Sequence, residues 1–146
     1  MPALNDFKLK DDMRRDSREA AYKILYAEHY NAEARSDDQF KNEIYAELKL
    51  GEADKKFADE LILSANEHVS EIEEIIAKYA KGYSVDRLYS TDRCALTLAI
   101  TELNYQKDIP PVVTVDEALY LVRKYSTEES LKFVNGILAA IIKGEN

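Results

Sequence analysis

The sequence has no tryptophan, one cysteine, three prolines and four glycines in 146 residues. Each shortage excludes something. A lone thiol, Cys94, can form neither a disulfide framework nor a zinc site. So little glycine and proline argues against a turn-rich β architecture. No apolar run approaches the ~18 residues that a membrane span requires. The opening stretch MPALNDFKLKDD is polar and lacks the apolar centre of a secretory leader. A cytoplasmic protein with no membrane association is therefore expected. Catalytic signatures are equally scarce. There is no GxSxG, no phosphate-binding glycine-rich loop and no HExxH. His29 and His68 are far apart, and neither follows a glutamate at the three-residue spacing of di-iron bundles. Glu71, Glu73 and Glu74 read as a solvated helix face, and Cys94 as a packed thiol. No enzyme activity, metal or cofactor is expected.

What is present is ordinary for a globular protein: 46% hydrophobic and 33% charged residues. A chain of this length can bury roughly 68–70% of its unfolded surface without a covalent staple. The net charge is −8. That weighs against nucleic acid unless the basic residues gather on one face.

Helix signals recur along the chain. Ser36-x-x-Gln39, Ser70-x-x-Glu73, Thr114-x-x-Glu117 and Ser126-x-x-Glu129 fit the capping box, each leading into apolar residues at helical spacing. A first helix is expected over about 13–30. Phe40, Ile44 and Leu48 form a stripe with Gly51 as its stop. Phe57, Leu61, Ala65 and Val69 form another, followed by Ile72, Ile75, Ile76 and Tyr79 up to Gly82. Residues 84–88 read as a short helical turn. The segment 92–105 is apolar nearly all round, which belongs at the centre of a fold. The prolines at 110 and 111 break it, Thr114 opens the next helix and Ser126 the last. No segment alternates with period two. The prediction is an all-α chain of about seven helices. Residues 1–12 form an N-terminal extension, and 13–146 form one domain.

Two faces stand out on a helical wheel. On the last helix, apolar residues fill an arc of roughly 200°, while Glu129, Lys132, Gly136 and Lys143 stack on the opposite stripe. Glycine inside a helix costs about 0.5–1 kcal/mol relative to alanine. Gly136 is therefore a bare patch that admits either a crossing helix or an incoming ligand. On the first helix, Arg14, Arg15, Arg18, Tyr22, Tyr26 and His29 project within about 120°. Ser17, Ala20, Ala21, Ile24, Leu25 and Ala27 are assigned to the other side. Interleaved arginines and aromatics suit RNA, where guanidinium groups meet phosphates and rings stack on bases. An ordinary charged face is the competing reading.

The segments RRDSREAAYKILY (14–26), DRLYSTDRCALTLAITEL (86–103) and VDEALYLVRKYSTEESLKFVNGIL (115–138) resemble, in residues and in order, the NusB family of bacterial transcription antitermination factors. The resemblance runs from about residue 14 to 142. It implies two small helical bundles and a binding role without a chemical reaction. It also implies partnership with NusE, a small-subunit ribosomal protein, on the boxA element of ribosomal RNA transcripts, and through it with the RNA polymerase elongation complex. By position, the family's arginine motif falls on Arg14, Arg15 and Arg18. Its second RNA-proximal group falls on Glu129, Lys132, Phe133 and Gly136. Tyr22, Tyr26 and Asp92 fall on the side expected to hold the protein partner.

The chain departs from the family at Asp16, where many relatives carry a base, at Tyr83, where a tryptophan is common, and at Asp116, which replaces an asparagine. The first 23 residues hold six bases against five acids. Weak RNA binding by the chain alone, at best about micromolar, is expected to follow from so few phosphate contacts. The alternative is a protein-binding helical adaptor, or a homodimer, with little RNA affinity of its own. A third possibility, the NusB-like domain of RNA cytosine methyltransferases, is set aside because no cofactor-binding segment follows.

Overall fold

The computed structural model describes the backbone of residues 2–31, 37–80 and 88–144, with side chains from residue 14 onward. Among the described residues every regular element is a helix: α1 (Pro2–His29), α2 (Asp38–Glu47), α3 (Glu52–Glu67), α4 (Val69–Tyr79), α5 (Ser90–Tyr105), α6 (Pro111–Tyr125) and α7 (Glu128–Lys143). The all-α prediction of about seven helices holds. The chain divides into two compact units, residues 1–62 and 63–146. This is the two-bundle organisation that the resemblance implies. α1 is one continuous helix from Pro2, with no break at residue 13.

In the first unit, α1 packs on α2. Six successive α1 residues, Ser17 to Tyr22, are buried. A helix enclosed on all sides over a turn and a half must bury whatever polar groups it carries there. Here those include Arg18 and Glu19. Tyr45 of α2 donates its hydroxyl to Asp59 Oδ1 of α3 at 2.6 Å, and Lys41 pairs with the same oxygen at 2.8 Å. α2 ends in a left-handed residue. Lys49 N–H donates to Ala46 O, Leu50 N–H donates to Tyr45 O, and Lys49 has φ 57°. This is the Schellman arrangement with lysine where glycine is usual.

In the second unit, α5 packs against α4, α6 and α7. Nine successive residues, Cys94 to Glu102, are buried, as a helix apolar on all sides requires. Thr101 returns its hydroxyl to Thr97 O at 2.7 Å, and Thr114 of α6 donates to Glu102 Oε1 at 2.9 Å. Burial pushes the Cys94 thiol up from its usual range.

Several helix starts differ from the sequence reading. The cap of α2 is Asp37, whose side chain accepts from Phe40 N–H at 2.8 Å; Ser36 lies outside the described residues. Ser70 sits inside α4, behind His68. α6 begins at Pro111, not Thr114, because proline at the first helical position gives up an N–H that has no partner there anyway. Thr114 is thereby left inside the helix to satisfy Glu102. Thr127, not Ser126, caps α7 and accepts from Ser130 N–H at 3.1 Å. Gly51 does not stop α2; its carbonyl accepts from Lys55 N–H and opens α3. Val69 belongs to α4 and not to the α3 stripe. Gly82, Tyr83 and the turn expected at 84–87 lie outside the described residues.

Candidate nucleic-acid interface

The α7 stripe forms as the wheel predicts. Ser130, Val134, Ile137 and Leu138 are buried and hold one side of the helix. Glu129, Lys132, Gly136 and Lys143 are exposed on the other, and Phe133 is half-buried at the margin. A Cβ added at Gly136 would meet nothing within 4 Å. Among the described residues no helix crosses at Gly136, which leaves that point of the stripe open to a ligand. The exposed face carries two lysines and two carboxylates, Glu128 and Glu129 in its first turn, beside a bare backbone patch. Cationic side chains over a bare backbone suit close approach by a phosphodiester chain. Asn135, on the edge of the apolar arc, is exposed.

The α1 arginines divide into two kinds. Arg14 and Arg15 are half-exposed. Arg18 is 1% exposed, and its guanidinium carbon lies 5.6 Å from the centroid of the Phe57 ring of α3. Arg14 approaches the same ring at 5.1 Å. The expectation that Arg18 reaches phosphate from the surface is corrected by this burial. On a 100° wheel Arg18 lies about 20° from Leu25 and about 40° from Tyr22, inside the apolar arc. Ala21 and Leu25 flank the arginine face and do not oppose it. Phe57, read from sequence only as a core position, supplies the aromatic surface that lets a guanidinium be enclosed.

The tyrosines continue this gradient outward. Tyr22, Tyr26 and Tyr30 sit on one face, one helical turn apart, with ring centroids 6.4 Å and 6.0 Å apart. Tyr22 is 3% exposed and belongs to the core, which corrects its expected contact with a partner. Tyr26 and Tyr30 are half-buried, and His29 is exposed. Of the two tyrosines assigned to a partner, Tyr26 alone has accessible surface.

Asp92 is likewise corrected. Its side chain is enclosed in the second unit, where Ser126 donates to Oδ1 at 2.7 Å and Ser130 to Oδ2 at 2.6 Å. Thr91 donates to Ser126 Oγ at 3.1 Å, and Thr127 to Ser130 Oγ at 3.0 Å. A carboxylate in the first turn of α5 therefore receives hydroxyls from the corner between α6 and α7. It is an internal acceptor and presents no free oxygen to a partner. The sequence signal lies in the paired runs Ser90-Thr91-Asp92 and Ser126-Thr127, of which the sequence reading uses only Ser126, as a cap, and Asp92, as a partner contact. Beyond this knot, Tyr105 donates to Glu71 Oε2 at 3.0 Å, and Arg93 pairs with Glu73 at 3.3 Å. The acidic run on α4 is thus partly engaged by α5.

The comparisons with known proteins bear on the family and the fold. The sequence model of the NusB family matches residues 15–143. The chain is 40% identical over 130 residues to the transcription antitermination protein NusB of Methylacidiphilum infernorum, covering 89% of this chain and 90% of the relative. It is 38% identical to the solved NusB of T. maritima, with a TM-score of 0.80 over 89% of this chain and 90% of that one. It is 31% identical to a chain in the structure of the antitermination factors NusB and NusE in complex with double-stranded RNA. There the TM-score is 0.78, over 91% of this chain and 98% of that one. With the family's sequence signature spanning both helical units and its fold reproduced across nine-tenths of the length, this chain belongs to the NusB family.

Proposed function

We propose that this chain is a cytoplasmic transcription antitermination factor that binds boxA RNA of ribosomal transcripts together with the small-subunit ribosomal protein NusE. Its work is binding, with no chemical step, and it reaches the RNA polymerase elongation complex through that partner. The observation that carries the reading is the open α7 stripe, where Lys132 and Lys143 flank a glycine with empty space above it. On this reading Lys132 meets phosphate, Phe133 lies against a base or sugar, and Gly136 admits the close approach. Glu129 accepts from a base edge or ribose hydroxyl. Arg14 and Arg15 supply further phosphate contacts from α1, and Tyr26 faces the protein partner.

The net charge of −8 sets the division of labour. An acidic protein with few clustered cations gains little counterion-release energy, so most of the RNA affinity comes from sharing the RNA with a basic partner. Titrating boxA RNA with the chain alone and with NusE, at two salt concentrations, tests this. Weak binding alone and marked tightening with NusE is the expected result. Tight binding by the isolated chain at physiological salt would overturn the division of labour. Absence of RNA binding even with NusE would favour the second reading, a protein-binding adaptor or homodimer, for which the acidic total speaks.

A further inference from the structure

The hydroxyl knot around Asp92 has a geometry that a simple helix cap does not need. Each hydroxyl owns one proton, and the distances assign them in two converging lines. Thr91 donates to Ser126, which donates to Asp92 Oδ1; Thr127 donates to Ser130, which donates to Asp92 Oδ2. Both carboxylate oxygens are thus used. Hydroxyl-to-carboxylate bonds are the short, charge-assisted kind, and a chain of them polarises each member. Ser130 is held twice, by its side chain on Asp92 and by its backbone N–H on Thr127 Oγ1. Ser130 belongs to the first turn of α7, immediately before the exposed stripe. Its angle about the helix axis fixes where Lys132, Phe133 and Gly136 point. A rotation of about 30° carries an atom 5–6 Å from a helix axis by about 3 Å, the length of one hydrogen bond.

We propose that Asp92 is a positioning residue for RNA binding: it never touches RNA but sets the rotation of α7 so that its exposed stripe meets the strand. The proposal rests on the reading of that stripe as an RNA face.

The test is a double-mutant cycle on the full chain with NusE and boxA RNA, using Asp92→Asn, Lys132→Ala and the pair. Asparagine keeps the size but offers one acceptor in place of two. Asp92→Asn should weaken RNA binding about five- to tenfold on the wild-type background, and by less than about twofold once Lys132 is gone. A merely structural role would leave the affinity of the folded variant unchanged, and that result overturns the proposal. An equal loss on both backgrounds also overturns it. So does a loss of NusE binding measured without RNA, which would make Asp92 a partner contact after all. Ser130→Ala removes one line of the knot and gives the same reading should the asparagine variant not fold. If the wild-type chain with NusE binds no boxA RNA, the reading of the stripe itself fails. That outcome is distinct from one in which wild type and variant bind alike.

Discussion

The guanidinium of Arg18 lies 5.6 Å from the centre of the Phe57 ring and is enclosed by the protein. A buried cation is tolerated only where something replaces its water, and an aromatic face is one such surface. Arg18 is therefore a stability residue in this fold. Arg18→Ala should lower unfolding free energy by about 2 kcal/mol or more, through lost packing and the polar groups left behind. Urea denaturation measures this. A change within about 0.5 kcal/mol, the range of ordinary surface substitutions, would contradict the assignment.

Lys49 occupies a left-handed position at the end of α2, with φ 57°. Left-handed geometry costs an L-residue roughly 1 kcal/mol that glycine avoids. Lys49 is exposed, so its side chain gives little packing in return. Lys49→Gly should raise stability by a few tenths to about 1 kcal/mol despite the greater freedom of the unfolded glycine. Thermal unfolding of the variant at neutral pH decides it, and a lowered midpoint would count against the cap geometry.

Gly136 presents the opposite case, a glycine with helical geometry and empty space around it. Gly136→Ala should stabilise the fold by about 0.5–1 kcal/mol, since the new methyl meets nothing. It should also weaken RNA binding, because the same methyl occupies the gap the strand would use. Stability and affinity moving in opposite directions is the signature to seek. A stabilised variant that binds RNA and NusE as well as wild type would remove the close-approach explanation for this glycine.

Burial, reinforced by the hydrogen bond to Asp59, pushes the Tyr45 hydroxyl well above its usual range. The folded state then resists ionisation that the unfolded chain accepts from about pH 10 upward. Any stability linked to this proton is fully present below pH 10 and drains away as pH rises past it. The slope has a ceiling of about 1.4 kcal/mol per pH unit for one proton. Tyr45→Phe should be less stable than wild type at neutral pH yet lose stability less steeply between pH 10 and 11. Parallel urea titrations at those pH values would show it. Parallel slopes for the two proteins would contradict it.

Much of this is legible in the amino-acid sequence. The run from Cys94 to Glu102 reads as a central helix because no wheel gives it a polar face. The α7 stripe reads correctly because its apolar and polar residues are cleanly separated. Capping was less legible. Ser, Thr and Asp cluster at several helix starts, and the residue one place away won: Asp37 and Thr127, with Thr114 diverted to a buried carboxylate. The arginine face departs from the wheel's expectation because Arg18 sits within the apolar arc and is buried. Phe57, from another helix, supplies a ring that helps hold it there. Asp92 is placed on the partner side by the resemblance, and its hydroxyl donors, Ser126 and Ser130, lie far along the chain at the corner between α6 and α7. Pairings between distant elements leave no periodic trace in a sequence.

The central claim is that a few cations on an acidic helical protein carry RNA recognition when NusE is present. The direct measurement is the salt dependence of boxA RNA affinity for the chain with NusE, comparing wild type with Lys132→Ala and with Arg14→Ala/Arg15→Ala. Each lost phosphate contact should weaken binding on every sequence tested and flatten the log–log salt slope by about 0.7. Affinity and slope that stay at wild-type values in both variants would contradict the claim.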